Sequence, residues 1–199
     1  MKRFAFIDVP NTTGTTKNCL NFAVDWNKMF ELLIDEKWGC KEVFYYKGHK
    51  GDMERKQLEK LKNIGYTIRT KLTHIHKNKV NNVSVICEKC NSVFIHHQNI
   101  QGNQKSNCDV ELTVDALNTL SVGDEALFFT GDGDFAYLIE FLIHKGIFVW
   151  MISSQKRDNN GNIRFSTRLK DIIKSEGQAS KRIKFVDIGS WKSVIEKVN

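Results

Sequence analysis

Short apolar runs alternate along this chain with stretches of helical periodicity, and several of the runs stop at an acid or a turn residue. Residues 3–8, Arg-Phe-Ala-Phe-Ile-Asp, are nearly continuously apolar, as expected of a strand buried on both faces. The run ends at Asp8 and Pro10, and Thr15 or Thr16 stands where it can cap a helix reaching about residue 38. Residues 42–46 read as a second strand, 53–63 as a helix stopped by Gly65, and 66–68 as the start of a third strand. Beyond residue 106 the order is helix from Asn107, strand 124–130, helix 135–144, strand 147–152, helix near 166–174, strand 183–188 and helix 191–197. Such alternation implies an α/β fold in three layers, helices on both faces of a mostly parallel central sheet. Right-handed crossovers then deliver every strand's carboxyl end to one edge, where sites of open α/β sheets form.

At 199 residues the chain is expected to be a single domain, 1–199. Residues 69–104 interrupt the alternation with short β-like runs at 83–86 and 92–97, so an inserted hairpin lobe is expected there. No apolar run approaches the roughly 20 residues of a membrane span, and Asp8 breaks the only apolar stretch near the start. No membrane partner is therefore expected. Five cysteines without a disulfide-like rhythm fit a reducing compartment, and a cytoplasmic location is expected.

The net charge of +7 is unevenly spread. Residues 106–152 hold eight acids and one lysine, whereas the segments on either side are strongly basic. An acidic centre between basic arms suits a metal-dependent enzyme acting on a polyanion, because carboxylates hold the cation while Lys and Arg hold phosphates. The alternative is a solvated acidic face, and position in the chain separates the two. Asp8 ends the first strand, and Asp132 and Asp134 follow the strand at 124–130, so acids distant in sequence reach one rim. A solvated face does not require that placement. In Thr130-Gly131-Asp132-Gly133-Asp134-Phe135 one acid is accounted for as a helix cap, but not both. Asp109 opens the helix at 107, and Asp115, six residues on, is about 240° round it, so Asp115 is only a secondary acid. Converging carboxylates must either protonate or be neutralised by a divalent ion, and an all-oxygen set favours Mg²⁺ or Mn²⁺.

Three blocks carry a resemblance. Phe6-Ile7-Asp8-Val9-Pro10-Asn11 resembles the F-I-D-x-x-N opening of the NYN family, the LabA-like branch of the PIN-like ribonucleases. Residues 105–116, Lys-Ser-Asn-Cys-Asp-Val-Glu-Leu-Thr-Val-Asp-Ala, resemble its K-G-V-D-V-x-L-A-V-D helix start, and residues 130–135 its S-G-D-S-D-F turn. The blocks occur in family order and cover most of residues 3–152. The resemblance implies a three-layer Rossmann-like (PIN-like) fold and a divalent-metal-dependent nuclease, usually acting on RNA. It implies Asp8, Asp109, Asp132 and Asp134 as the catalytic, metal-binding acids, Asn11 as a residue orienting the first acid or a phosphate, and Lys105 as a substrate contact. Pro10 and Ser106 depart from the family pattern without removing a carboxylate.

Cys87-x-x-Cys90 supplies half of a closed zinc site, which needs four ligands. His74, His76, His96, His97 and Cys108 are candidates for the remainder, against the alternative of free thiols beside surface histidines. Structural Zn²⁺ is thus an expectation for the inserted lobe, and Cys19 and Cys40 are expected to be buried. The loop after the strand at 147–152 opens on the acidic rim, which makes Arg157, Arg164 and Arg168 candidate contacts to a substrate backbone. The expected function is a Mg²⁺- or Mn²⁺-dependent ribonuclease, more specifically an endoribonuclease. The alternatives are a non-catalytic RNA-binding or regulatory module on the same fold and a nuclease acting on DNA. The oligomeric state stays open, a homodimer included.

Overall fold

The structure is a computed structural model describing residues 1–75, 79–100, 104–105 and 107–198. Its centre is a six-stranded sheet of β1 (Arg3–Asp8), β2 (Glu42–Tyr46), β3 (Thr67–Arg69), β8 (Glu125–Phe129), β9 (Phe148–Ser153) and β10 (Ile183–Asp187). The spatial order is β10-β9-β8-β1-β2-β3, and every pairing is parallel. The chain builds outward from β1 to β2 and β3, then returns to the other side of β1 for β8, β9 and β10. The order therefore reverses between β1 and β8, and at such a switch point the crossover connections diverge and leave a crevice.

Along β1 the side chains alternate between two cores. Phe4 and Phe6 join Phe44, Phe128 and Leu112 on one face, and Ala5 and Ile7 join Leu33, Val43, Leu127 and Phe129 on the other. Phe6 stacks between Phe44 and Phe128, with ring centroids 5.0 and 5.1 Å away. The first face is covered by α4 (Asp109–Thr119), α5 (Ala136–His144) and α6 (Thr167–Ala179). The second is covered by α1 (Val9–Leu20), α2 (Trp26–Ile34), α3 (Asp52–Ile64) and α7 (Lys192–Ile195). This is the three-layer α/β architecture expected from the alternation.

One expectation fails. A single helix from Thr15 or Thr16 to residue 38 is replaced by two. α1 begins directly after Asp8, whose carboxylate caps it, with Pro10 in the first turn where a missing N–H costs nothing. Thr15 and Thr16 are buried within that helix. It ends because Asn21 takes a left-handed conformation, φ 55°, and the Phe22 N–H returns to the Thr16 carbonyl at 3.1 Å. Asp25 then caps α2 by accepting from the Asn27 and Lys28 N–H groups.

Of the segment expected as an inserted lobe, Arg69 ends β3 of the main sheet, and the strands that follow are outside that sheet. β4 (His74–Ile75) pairs antiparallel with β7 (Gln104–Lys105), and β5 (Lys79–Ile86) with β6 (Val93–Ile100), longer than the runs expected there. Neither pair joins the six-stranded sheet. No helix among the described residues is long and apolar enough to cross a membrane.

Candidate metal centre

Asp8 and the 130–135 turn face each other across the switch point. Ile7 is in register with Phe129, so Asp8 stands beside Thr130 at the carboxyl edge. The Thr130 hydroxyl donates to Asp8 Oδ2 at 3.1 Å, and the Gly131 N–H donates to Asn11 Oδ1 at 2.8 Å. The Asn11 N–H donates in turn to Asp8 Oδ1. Asn11 thereby ties the start of α1 to the acidic turn and orients the first acid through its backbone. Asp132 caps a short 3₁₀ turn by accepting from the Asp134 N–H at 3.0 Å. The capping acid is thus Asp132, while Asp134, the acid nearer α5, projects outward.

Asp109, on the first turn of α4, reaches the same point. Carboxylate oxygens of Asp109, Asp132 and Asp134 lie within 4.8 Å of one another, and no other group of three such ligands occurs among the described residues. Asn107 Nδ2 donates to Asp109 Oδ2 and fixes its orientation. Asp8, Asp109 and Asp132 line a cleft of about 300 Å³ with Pro10, Asn11, Tyr46, Lys47, Cys108 and Arg164.

The electrostatics report the convergence. Burial pushes the Asp8 carboxyl up to about 6; the bonds from Asn11 and Thr130 oppose the rise, and the charges of Asp109 and Asp132 add to it. Asp109 is raised chiefly by desolvation, against the Asn107 bond, with repulsion from Asp132 and Asp134 adding. An all-oxygen set of mutually repelling carboxylates is the donor chemistry that fits a hard divalent cation, which would reverse both elevations.

Asp115, Glu111, Asp124 and Glu125 serve structure. Asp115 is bound by Arg69, at 2.7 and 3.0 Å, and accepts from the Tyr46 hydroxyl at 3.0 Å. It stands outside the cluster, with two side-chain partners. Glu111 pairs with Lys71 at 3.0 Å. At the opposite edge of the sheet Asp124 accepts from the Lys2 backbone N–H at 2.9 Å and Glu125 pairs with the Arg3 guanidinium at 2.6 Å. Tertiary contacts thus give Glu111, Asp115 and Glu125 cationic partners and Asp124 backbone N–H donors, and leave one cluster without an ion pair among the described residues.

Of the basic candidates, Arg164 enters the cleft, with its guanidinium so close over Gly14 that a Cβ there would meet Nη2 at 2.6 Å. Arg157 instead folds back on the Gly161 carbonyl at 2.6 Å, and Arg168 lies exposed on α6. Lys47 was missed by sequence reasoning, although it directly follows β2 and strand ends on this edge are where site residues collect. His76 lies outside the described residues, as do the side chains of His74, His97 and Lys105. Cys87 and Cys90 meet at the β5–β6 tip, where hydrogen bonds from Ser92 and from Cys87 draw the Cys90 thiol below its ordinary range. His96 is paired with Val83, three register positions back from the tip pair Ile86–Val93. Cys108 is buried in the main core beside α4, and Cys19 and Cys40 are buried as expected.

Comparison with known proteins agrees with this geometry. The chain is 30% identical over 113 residues to the low amplitude and bright protein LabA of Synechococcus elongatus. That match covers 56% of this chain and 52% of LabA, so the chain spans about half the length of this curated relative. A crystal structure of a protein of unknown function from Vibrio parahaemolyticus shares the fold, with a TM-score of 0.57 at 19% identity over 94% of this chain and 92% of that one. The sequence pattern of the NYN domain matches residues 4–169, most of the chain and every acid of the cleft. The chain belongs to the NYN domain family, whose fold is that of the PIN-like nucleases.

Proposed function

We propose that this protein is a divalent-metal-dependent ribonuclease, cutting RNA phosphodiester bonds at the cleft between β1 and β8. One observation carries the reading: three carboxylates from two separate elements meet within 4.8 Å, beside a fourth, with no cation of the protein paired to them among the described residues. Asp109, Asp132 and Asp134 would hold Mg²⁺ or Mn²⁺, and Asp8 would complete the set from the cleft floor. When bound, the ion supplies charge neutralisation at the phosphate and lowers the pKa of water.

The chain's own groups do the remaining work. Lys47 and Arg164 flank the cleft and can hold the phosphate oxygens of an incoming backbone. Thr130 and the Asn11 N–H each occupy one oxygen of Asp8, which fixes the carboxylate plane before substrate arrives. Asn11 keeps the turn carrying Asp132 at a constant distance from β1. No group identified at the cleft reads a 2′-hydroxyl, so the preference for RNA rests on the family.

The test is incubation of single-stranded RNA, hairpin RNA and single-stranded DNA with Mg²⁺ or Mn²⁺, using the native protein and Asp132→Asn. Cleavage of RNA by the native protein, abolished by chelation and reduced at least about a hundredfold by the substitution, is the expected result. Cleavage of DNA alone would reassign the substrate. Salt-dependent RNA binding that survives chelation, without hydrolysis, would make the protein a binding module.

A further inference from the structure

A second groove adjoins the carboxylate cleft. It has a volume of about 780 Å³ and lies between α1, the segment after β2, the first turns of α3 and the chain's C-terminal tail. Pro10 and Lys47 line both the cleft and the groove, so the two are continuous over that wall. Lys17, Lys47, Lys50 and Lys197 converge on the groove, against the single acid Glu54, whose carboxylate is already engaged by the Lys50 N–H at 2.6 Å. Among the described residues none of these four lysines is in an ion pair.

A surface lysine is ordinarily just solvated. These differ because separate parts of the chain are held in place to present them together. The Lys47 N–H donates to the Arg69 carbonyl at 3.1 Å and the His49 N–H to the Lys71 carbonyl at 3.0 Å, which anchors the segment carrying Lys47 and Lys50. The Lys197 N–H donates to the Ala23 carbonyl at 2.8 Å, which pins the tail over the end of α1. Lys17 comes from the last turn of α1 itself. Ammonium groups converging on one groove without an ion-pair partner among the described residues constitute a field for a chain of phosphates.

We infer that the RNA strand leaves the carboxylate cleft over Pro10 and Lys47 and runs along this groove, where Lys17, Lys50 and Lys197 hold its phosphates. The inference rests on the nuclease reading for the identity of the strand. The groove sets affinity for long substrates and leaves the cutting step to the acids.

The experiment compares a groove variant, Lys17→Glu with Lys50→Glu and Lys197→Glu, against a control of equal charge change. The control carries Lys37→Glu, Lys41→Glu and Lys181→Glu, exposed positions just before β2 and β10, at the opposite edge of the sheet. Binding of a fluorescent single-stranded RNA of about 20 nucleotides is measured in the Asp132→Asn background across a salt series, and cleavage is measured in the otherwise native protein. The groove variant is expected to bind at least about tenfold more weakly, with a slope of log Kd against log salt shallower by about 2, at roughly 0.7 per lost contact to a single strand. KM for that RNA rises accordingly and kcat stays within about twofold. A set of Lys→Gln changes at the same groove positions gives the same direction with a smaller effect. Groove and control variants that behave alike overturn the groove while the nuclease reading stands. Binding that depends on the groove without any hydrolysis keeps the groove and removes the nuclease. A native protein that binds no nucleic acid removes both.

Discussion

Asp8 illustrates how one side chain can serve the site at the expense of the fold. Its carboxyl is ionised near pH 4 in the unfolded chain but only near 6 in the folded protein, because burial removes water from it. The folded state therefore binds the extra proton between those values. The favourable contribution is fully present below about pH 4 and is lost as pH rises through 6. At pH 7.5 the buried charge costs on the order of 2–3 kcal/mol, about 1.4 per unit of displacement. Asp8→Asn keeps the helix cap and removes the charge. It is expected to raise the stability of metal-free protein toward urea by up to that amount at pH 7.5, with about half that gain at pH 5, while abolishing activity. Equal stabilisation at both pH values would show that the charge is not the cause. Asp115 behaves in the opposite way. Asp115→Ala would leave Arg69 and the Tyr46 hydroxyl without their partner and is expected to cost about 1–3 kcal/mol in urea unfolding. The folded fraction should keep Asp132-dependent cleavage. Its angle on the helix ranked Asp115 in the sequence as a secondary acid, but could not name Arg69, 46 residues away, as its partner.

Among the elements, the β8–α5 turn shows most clearly what close packing demands. Gly131 is not at a positive φ, so its backbone geometry is open to any residue. The requirement comes from the segment leading into α6: a Cβ at 131 would stand 2.6 Å from the Arg164 carbonyl oxygen and 3.2 Å from the Phe165 Cα. The Ser166 N–H donates to the Gly131 carbonyl at 2.9 Å and holds the two segments in that contact. Gly131→Ala is expected to push the Arg164 segment away, lowering stability by about 1–3 kcal/mol and activity more than tenfold. An unchanged melting curve would refute this. Glycine in a Gly-Asp-Gly-Asp turn could be read from sequence as a need for tight geometry, yet the neighbour that imposes it is 33 residues downstream. The division between α1 and α2 was likewise hidden. The apolar spacing from Leu20 to Ile34 suits one helix, whereas Asn21 in the left-handed region and the Asp25 cap break it by local bonds that periodicity does not register.

For the molecule as a whole, the β4–β7 and β5–β6 pairs form sheets separate from the central one among the described residues. The β5–β6 ladder pairs with no strand of the six-stranded sheet, and the β4–β7 pair closes its base with Ile75 opposite Gln104. A short turn joining Ile75 to Gln104 is therefore expected to leave the melting temperature within about 5 °C of the intact chain, by calorimetry. Cleavage of short RNA should persist, and collapse of the fold would show that the lobe supports the sheet. By itself, the sequence determined the α/β class and the rim on which Asp8, Asp132 and Asp134 end, because strand and helix periods and right-handed crossovers are local or general rules. Only the tertiary structure decided which of these acids pair with a cation and which, among the described residues, do not. That choice depends on partners such as Arg3, Arg69 and Lys71, brought from distant segments. Coulomb energy at these separations is set by a few ångströms in space, and no spacing along the chain encodes it.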